Sequence, residues 1–198
     1  MIFMRLFLSI LILIFSLQSW SKADDIRDFE IEGISIGDSL LDFFTDVEIN
    51  NNIEDHYSDK KYIMTEFYKT KNFTQYDSLK FHFNSKDKNY KIISLSGINF
   101  YKKNILKCHD DMKIIDKEIS SLFINLERYT EDQIHPVDKT GKSTTKAIRY
   151  FFSDGSLISI VCYDWSEELL EKKGWTDNLQ LEISLDEFDK WLRLKAFN

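Results

Sequence analysis

The chain has 198 residues, 43% of them apolar and 15% aromatic, which is ample material for a core and excludes intrinsic disorder. Its 26 Lys and Arg face 33 Asp and Glu, a formal charge of −7. That balance excludes the basic footprint of a nucleic-acid binder and a polybasic membrane dock, and by itself it explains only solubility.

The N-terminus carries an address. Arg5 precedes an apolar run from Leu6 to Leu17 broken only by Ser9 and Ser16, and Ser21-Lys22-Ala23 places small residues where a signal peptidase reads them. The run is shorter than the roughly 20 residues of a membrane span. The expectation is a cleaved export signal over 1–23 and a mature chain of 24–198, with 24 basic and 33 acidic side chains and a charge of −9. No cysteine follows the cut and no arginine pair precedes it, so neither a lipid anchor nor a twin-arginine route is expected. In an oxidising compartment the two cysteines, Cys108 and Cys162, are more readily bridged than free. Lysine outnumbers arginine 21 to 5 and Pro136 is the sole proline. Such usage reports an AT-rich genome more than a binding patch.

In chain order, Asp28 to Ser35 alternates apolar and polar and predicts a short strand. Asp38 then predicts the cap of a helix carrying Leu40, Leu41, Phe43 and Phe44. Strands follow at Tyr62 to Thr70, Ser78 to Asn84 and Lys91 to Tyr101, an antiparallel meander with Gly97 as a candidate bulge. Asn104 to Arg128 sets Ile105, Cys108, Met112, Ile115, Ile119, Leu122 and Leu126 on one helical face, which predicts a core-facing helix. Tyr129 to Thr144 is polar and predicts a flexible loop. Asp154-Gly155 predicts a two-residue hairpin turn between strands at 145–153 and 156–165. That pairing sets Ile158, Ile160 and Cys162 on one face, so a bond to Cys108 is sterically reasonable. Asp164 with Glu167, and Ser184 with Glu187, have capping-box spacing for two short helices around a strand at Leu179 to Leu185. The expected fold is α+β: a mostly antiparallel sheet of about six to seven strands, with the long amphipathic helix and shorter helices packed on one face. It forms one domain over 24–198, readable as two helix-plus-three-strand halves at 36–101 and 104–198.

Motifs with chemistry are sparse. Gly141-Lys142-Ser143 ends like a phosphate loop, but Pro136 stands where that pattern needs glycine. Cys108-His109-Asp110-Asp111 would point about 100° apart on a helix and cannot converge unaided. His56, His82, His109 and His135 lack ligand spacing and read as surface histidines. Asp24, Asp25, Asp110, Asp111 and Asp116 are not paired as acid and base. No catalytic, cofactor-binding or metal-ligating residue is assigned and no cofactor is expected. Trp165 and Trp175 bracket a short helix; they either anchor a partner or stack on a sugar, or else plug the edge of a core.

The mature start, Asp24-Asp25-Ile26-Arg27-Asp28-Phe29-Glu30-Ile31-Glu32-Gly33-Ile34-Ser35-Ile36-Gly37-Asp38-Ser39-Leu40-Leu41, resembles an uncharacterised family of small exported proteins from free-living bacteria with AT-rich genomes. Cys162-Tyr163-Asp164-Trp165, Asp177-Asn178-Leu179 and Glu187-Phe188-Asp189-Lys190-Trp191-Leu192 are similar to that family's ending. The resemblance implies a periplasmic location and no activity. Ile34 to Phe44 also resembles the glycine-then-helix opening of outer-membrane assembly lipoproteins and β-lactamase-inhibitor-like repeats, without the lipidation cysteine of the former. The expected function is a non-enzymatic periplasmic module that binds another envelope protein or envelope component. The alternatives are a hydrolase whose site assembles only in the fold, and a carrier of a small apolar ligand.

Overall fold

A computed structural model describes residues 25–54, 56–69 and 73–197; the export signal read over 1–23 lies outside them. The protein is α+β. Its framework is an eight-stranded, wholly antiparallel sheet in the order β3-β4-β5-β6-β10-β9-β8-β7. The strands are β3 (Ile53–Glu54), β4 (Tyr62–Tyr68), β5 (Ser78–Asn84), β6 (Ser94–Phe100), β7 (Glu127–Ile134), β8 (Thr144–Phe151), β9 (Leu157–Asp164) and β10 (Asn178–Ser184). A separate hairpin pairs β1 (Glu30–Ile31) with β2 (Ile34–Ser35). The helices are α1 (Asp46–Asn51), α2 (Ile105–Leu122), α3 (Glu167–Lys173) and α4 (Asp186–Leu194).

The sheet exceeds the expected six to seven strands because two edges gave no apolar signal. β3 has two residues. β7 lies where a flexible loop was expected: its sequence is polar on both sides, and all of it but Glu131 is exposed. Helix α1 is followed by four strands, β3 to β6, and α2 by another four, β7 to β10, where three were expected in each half. The two runs meet where β6 pairs with β10, with Gly97 opposite Leu181.

Alternation along the strands separates the faces. One face carries Leu79, Phe81, Leu95, Leu181, Ile160 and Ile148, all buried in the main core. Ile49 of α1 and Cys108, Met112 and Ile119 of α2 cover it, together with the N-terminal Ile26, Ile31 and Leu40. Leu122 is 55% exposed, and Leu126, beyond the helix, packs only partly against the core. Cys108 and Cys162 are disulfide-bonded across this layer, with Cα atoms 6.1 Å apart. The expectation of helices on one face is corrected: α4 lies on the other, where Phe188 and Trp191 join Tyr62 and Ile93 in a second, smaller core.

Local details also depart from the sequence reading. Asp28 to Ser35 bends into the β1–β2 hairpin, with Glu32 and Gly33 both at positive φ. Leu40–Asp42 is a single 3-10 turn capped by Ser39, whereas the Asp38 carboxylate accepts from the Ser35 N–H at 2.9 Å. The Phe152 N–H donates to the Ser156 carbonyl at 2.9 Å and the Gly155 N–H to the Phe152 carbonyl at 3.0 Å, with Gly155 at φ 86, so the connection is the three residues 153–155 instead of two. Neither expected capping box forms: Asp164 belongs to β9, α3 begins after Ser166, and α4 begins after Leu185. Gly97 is no bulge; it pairs regularly with Leu79 and Leu181.

Candidate functional site on the polar sheet face

The same alternation sends polar side chains to the face opposite the main core: Lys80 and His82 from β5, Ser94 and Ser96 from β6, Gln180 and Glu182 from β10, Arg149 from β8. Register sets Glu182 between Ser96 and Ser159, and Ser159 beside Arg149. His82, Ser94, Ser96 and Ser159 are buried, while Glu182 and Gln180 keep partial solvent contact.

A directional hydrogen-bond chain runs through this strip. Tyr57 Oη is 2.8 Å from His82 Nε2, and His82 Nδ1 is 3.3 Å from Ser94 Oγ. Ser94 Oγ donates to Glu182 Oε1 at 2.9 Å. Gln180 Nε2 donates to Glu182 Oε2 at 3.2 Å and to Ser96 Oγ at 3.1 Å. Burial, with the Lys80 charge, holds the His82 imidazole well below its ordinary value, so the ring is neutral and carries one N–H. Ser94 already donates to the carboxylate; the ring therefore donates from Nδ1 and accepts from Tyr57 at Nε2. Burial raises the Glu182 carboxyl, and the Ser94 hydrogen bond and Lys80 charge oppose it. This is no nucleophile–base pair: Ser94 is fully enclosed and its proton is committed to Glu182.

The strip ends in aromatic rings. Tyr163 and Trp165 stack at 5.5 Å and 12°. Trp165 lies 4.7 Å from Trp175 and 4.7 Å from His135, which is 5.9 Å from Tyr163. All four residues are half-buried, and neither tryptophan belongs to either hydrophobic core. Burial, reinforced by Glu182, pushes the Tyr163 phenol up to about 12, so it remains a donor at neutral pH.

The rings stand on fixed backbone. The buried Asp177 carboxylate accepts from the Trp165 N–H at 3.1 Å, and its carbonyl accepts from the Tyr101 N–H at 2.8 Å. Gly174 ends α3 at φ 70 and turns the chain to Trp175. The segment around Gly141-Lys142-Ser143 is neither a phosphate loop nor free. Asp138 accepts from the hydroxyls of Thr140 and Ser143 at 2.6 Å each, and Ser143 Oγ accepts from the Ser166 N–H at 3.0 Å. His135 begins this stapled turn.

Of the residues singled out in sequence, Trp165 and Trp175 are brought together, and Cys108 and Cys162 are joined. Cys108 faces the core while Asp110 and Asp111 pair with the helix lysines Lys113 and Lys107. His82 is corrected from surface to buried, at 3% exposed, and His135 to half-buried. The exposed His56 pairs with the half-buried Glu54 at 2.5 Å. Sequence reasoning missed Tyr163, His135 and the Glu182 network. Polar alternation in β5, β6 and β10 was the available signal, but it reads as a solvated face until β6 and β10 are known to be neighbours. Among the described residues no group of three or more His, Cys, Asp or Glu is placed to hold a metal ion.

The network makes stability depend on pH in two directions. Unfolded His82 takes a proton below about 6.5 that the buried ring refuses, so its contribution is lost as pH falls. Glu182, with a raised folded value, contributes most below the unfolded 4.5 and loses that contribution as pH rises through the folded value. His82→Asn is expected to flatten the decline of unfolding free energy below pH 6.5, whose slope per group is at most about 1.4 kcal/mol per pH unit. An unchanged slope in thermal melts from pH 8 to 5 would show that His82 does not titrate on unfolding.

The geometry defines an α+β protein whose antiparallel sheet presents a hydrogen-bonded polar strip ending in an aromatic ribbon. Compared with protein-family models, curated proteins and solved structures, the chain finds no match in any of the three.

Proposed function

We propose that the protein is a non-enzymatic periplasmic binding module, and that its aromatic ribbon with the adjoining polar strip docks another envelope protein or envelope component. The observation that carries this reading is the pair Trp165 and Trp175, packed on each other and half-open to solvent while both cores close without them. Large rigid rings on a preorganised base contribute binding energy with little ordering entropy. The disulfide fits an oxidising compartment, and no helix among the described residues is long and apolar enough to cross a membrane. The resemblance of the mature start to small exported proteins agrees with that compartment. Against a hydrolase stands the committed hydroxyl of Ser94. Against an apolar carrier, a cavity of about 250 Å³ among the described residues is lined by the acidic Glu32 and Asp42 as well as Ile34, Phe43, Phe44 and Phe73.

The test is cross-linked capture by tagged 24–198 from its own envelope fraction. A stoichiometric partner is expected, lost in Trp165→Ala and Trp175→Ala. Both variants should keep Tm within a few degrees, because neither removes core volume. A folded wild-type bait that captures nothing, or variants that retain the partner, would overturn the reading.

A further inference from the structure

The two edges of the sheet are unequal. β3 offers two residues, whereas β7 offers eight, exposed throughout except Glu131, with Tyr129 at 52% and Ile134 at 60% exposure. β7 pairs with β8 without a bulge, and the chain's one proline lies beyond it at Pro136. Among the described residues, charge is therefore the one device left to blunt this edge.

Main-chain groups along this edge can be assigned. The His135 N–H donates to the Ser143 carbonyl at 2.9 Å, just past the strand end. Hydrogen-bonded pairs alternate in an antiparallel ladder. Residues of odd number thus turn their amides toward β8, and Arg128, Thr130 and Asp132 turn theirs outward.

Charge selects a pairing. Opposed residues must share a sheet face, so a two-fold axis has to pass through a residue of β7, and each choice fixes the register. An axis at Arg128, Glu131 or Asp132 sets that charge against itself, and one at Tyr129 sets Glu127 against Glu131. At Thr130 the axis sets Arg128 against Asp132 of the second copy, twice. Directly opposed opposite charges stabilise a ladder and like charges destabilise it. The edge is also locally neutral within a chain of charge −7: Glu127, Glu131 and Asp132 face Arg128 and, on β8, Lys146 and Arg149. Arg128 already holds Asp116 at 2.8 Å and Asp132 lies 3.5 Å from Lys146. The contact would join these two pairs into a row of alternating sign.

We propose that β7 pairs antiparallel with β7 of a second copy about a two-fold axis through Thr130, making one sheet continuous across two chains. The polar strips of both copies then lie on the same face of that sheet. Light scattering on the folded mature chain is expected to give twice the monomer mass. Thr130→Pro removes the outward N–H at a position where an edge strand tolerates proline, and is expected to give a folded monomer whose Tm, unlike that of the wild type, does not rise with protein concentration. A nitroxide on Thr130→Cys, the native cysteines being bridged, is expected to show dipolar broadening, since opposed Cα atoms sit about 5.5 Å apart. A monomeric wild type, a folded Thr130→Pro dimer, or a dimer with no broadening would each overturn the proposal. If Thr130→Pro does not fold, the spin-label spectrum still decides.

Discussion

Breaking the Cys108–Cys162 bond, by reductant or by Cys108→Ala with Cys162→Ala, is expected to lower the unfolding free energy by about 4 kcal/mol. The bond spans 54 residues and ties α2 to β9. In the chain-entropy model, closing a loop of that length removes about 4 kcal/mol of freedom from the unfolded state. Domains are stable by only about 5–15 kcal/mol, so the loss takes a large share of the total. Both cysteines sit in the core at 0% and 1% exposure, and the alanine pair adds a small cavity to the entropic loss. Urea titration of oxidised and reduced protein measures it directly, and intact mass after alkylation with and without reductant verifies the starting state. A difference under about 1 kcal/mol would mean that the α2–β9 layer holds without the bond.

Gly97→Ala is expected to destabilise by about 3 kcal/mol, the upper range for overpacking a well-filled site. A Cβ built on Gly97 would lie 2.7 Å from three atoms of the Tyr76 ring, closer than carbon atoms approach. Tyr76 is 8% exposed, and Gly97 sits between Leu79 and Leu181 in the middle of the sheet, so neither side retreats cheaply. The double variant Tyr76→Ala with Gly97→Ala should cost no more than Tyr76→Ala alone, because the clash and its partner vanish together. Additive losses in denaturant melts would place the cost in the strand backbone instead of the ring.

The parts of the fold legible in sequence were those with a strong period. Leu79, Phe81 and Phe83, and Leu179, Leu181 and Ile183, alternate cleanly because one face of each strand meets the core. Cys108, Met112 and Ile119 recur at helical spacing for the same reason. β7 carries no such mark, since Tyr129 to Gln133 meets neither core and is held by main-chain pairing to β8, which every sequence can supply. The spacings of Asp164 with Glu167 and Ser184 with Glu187 fitted capping boxes equally well, but the strand ladders claimed Asp164 and Ser184 first.

Of the site, the tryptophans were visible and their company was not. Trp165 and Trp175 stood out as large rings near a turn. Tyr163 and His135 joined them only through the β8–β9 pairing and the Asp138–Ser143 staple. His82 looked like a surface residue because Lys80 shares its side of β5, and α4 folding onto that side buried it against Phe188, 4.4 Å away. Composition, charge, the periodic strands and the reach between the two cysteines follow from residue types along the chain, because hydrophobic burial acts on local pattern. The order of strands, the second layer made by α4, the chain from Tyr57 to Glu182 and the open edge of β7 depend on which distant segments become neighbours. That choice is made by packing and main-chain pairing among residues as far apart as Ser94 and Glu182, and only the tertiary structure records it.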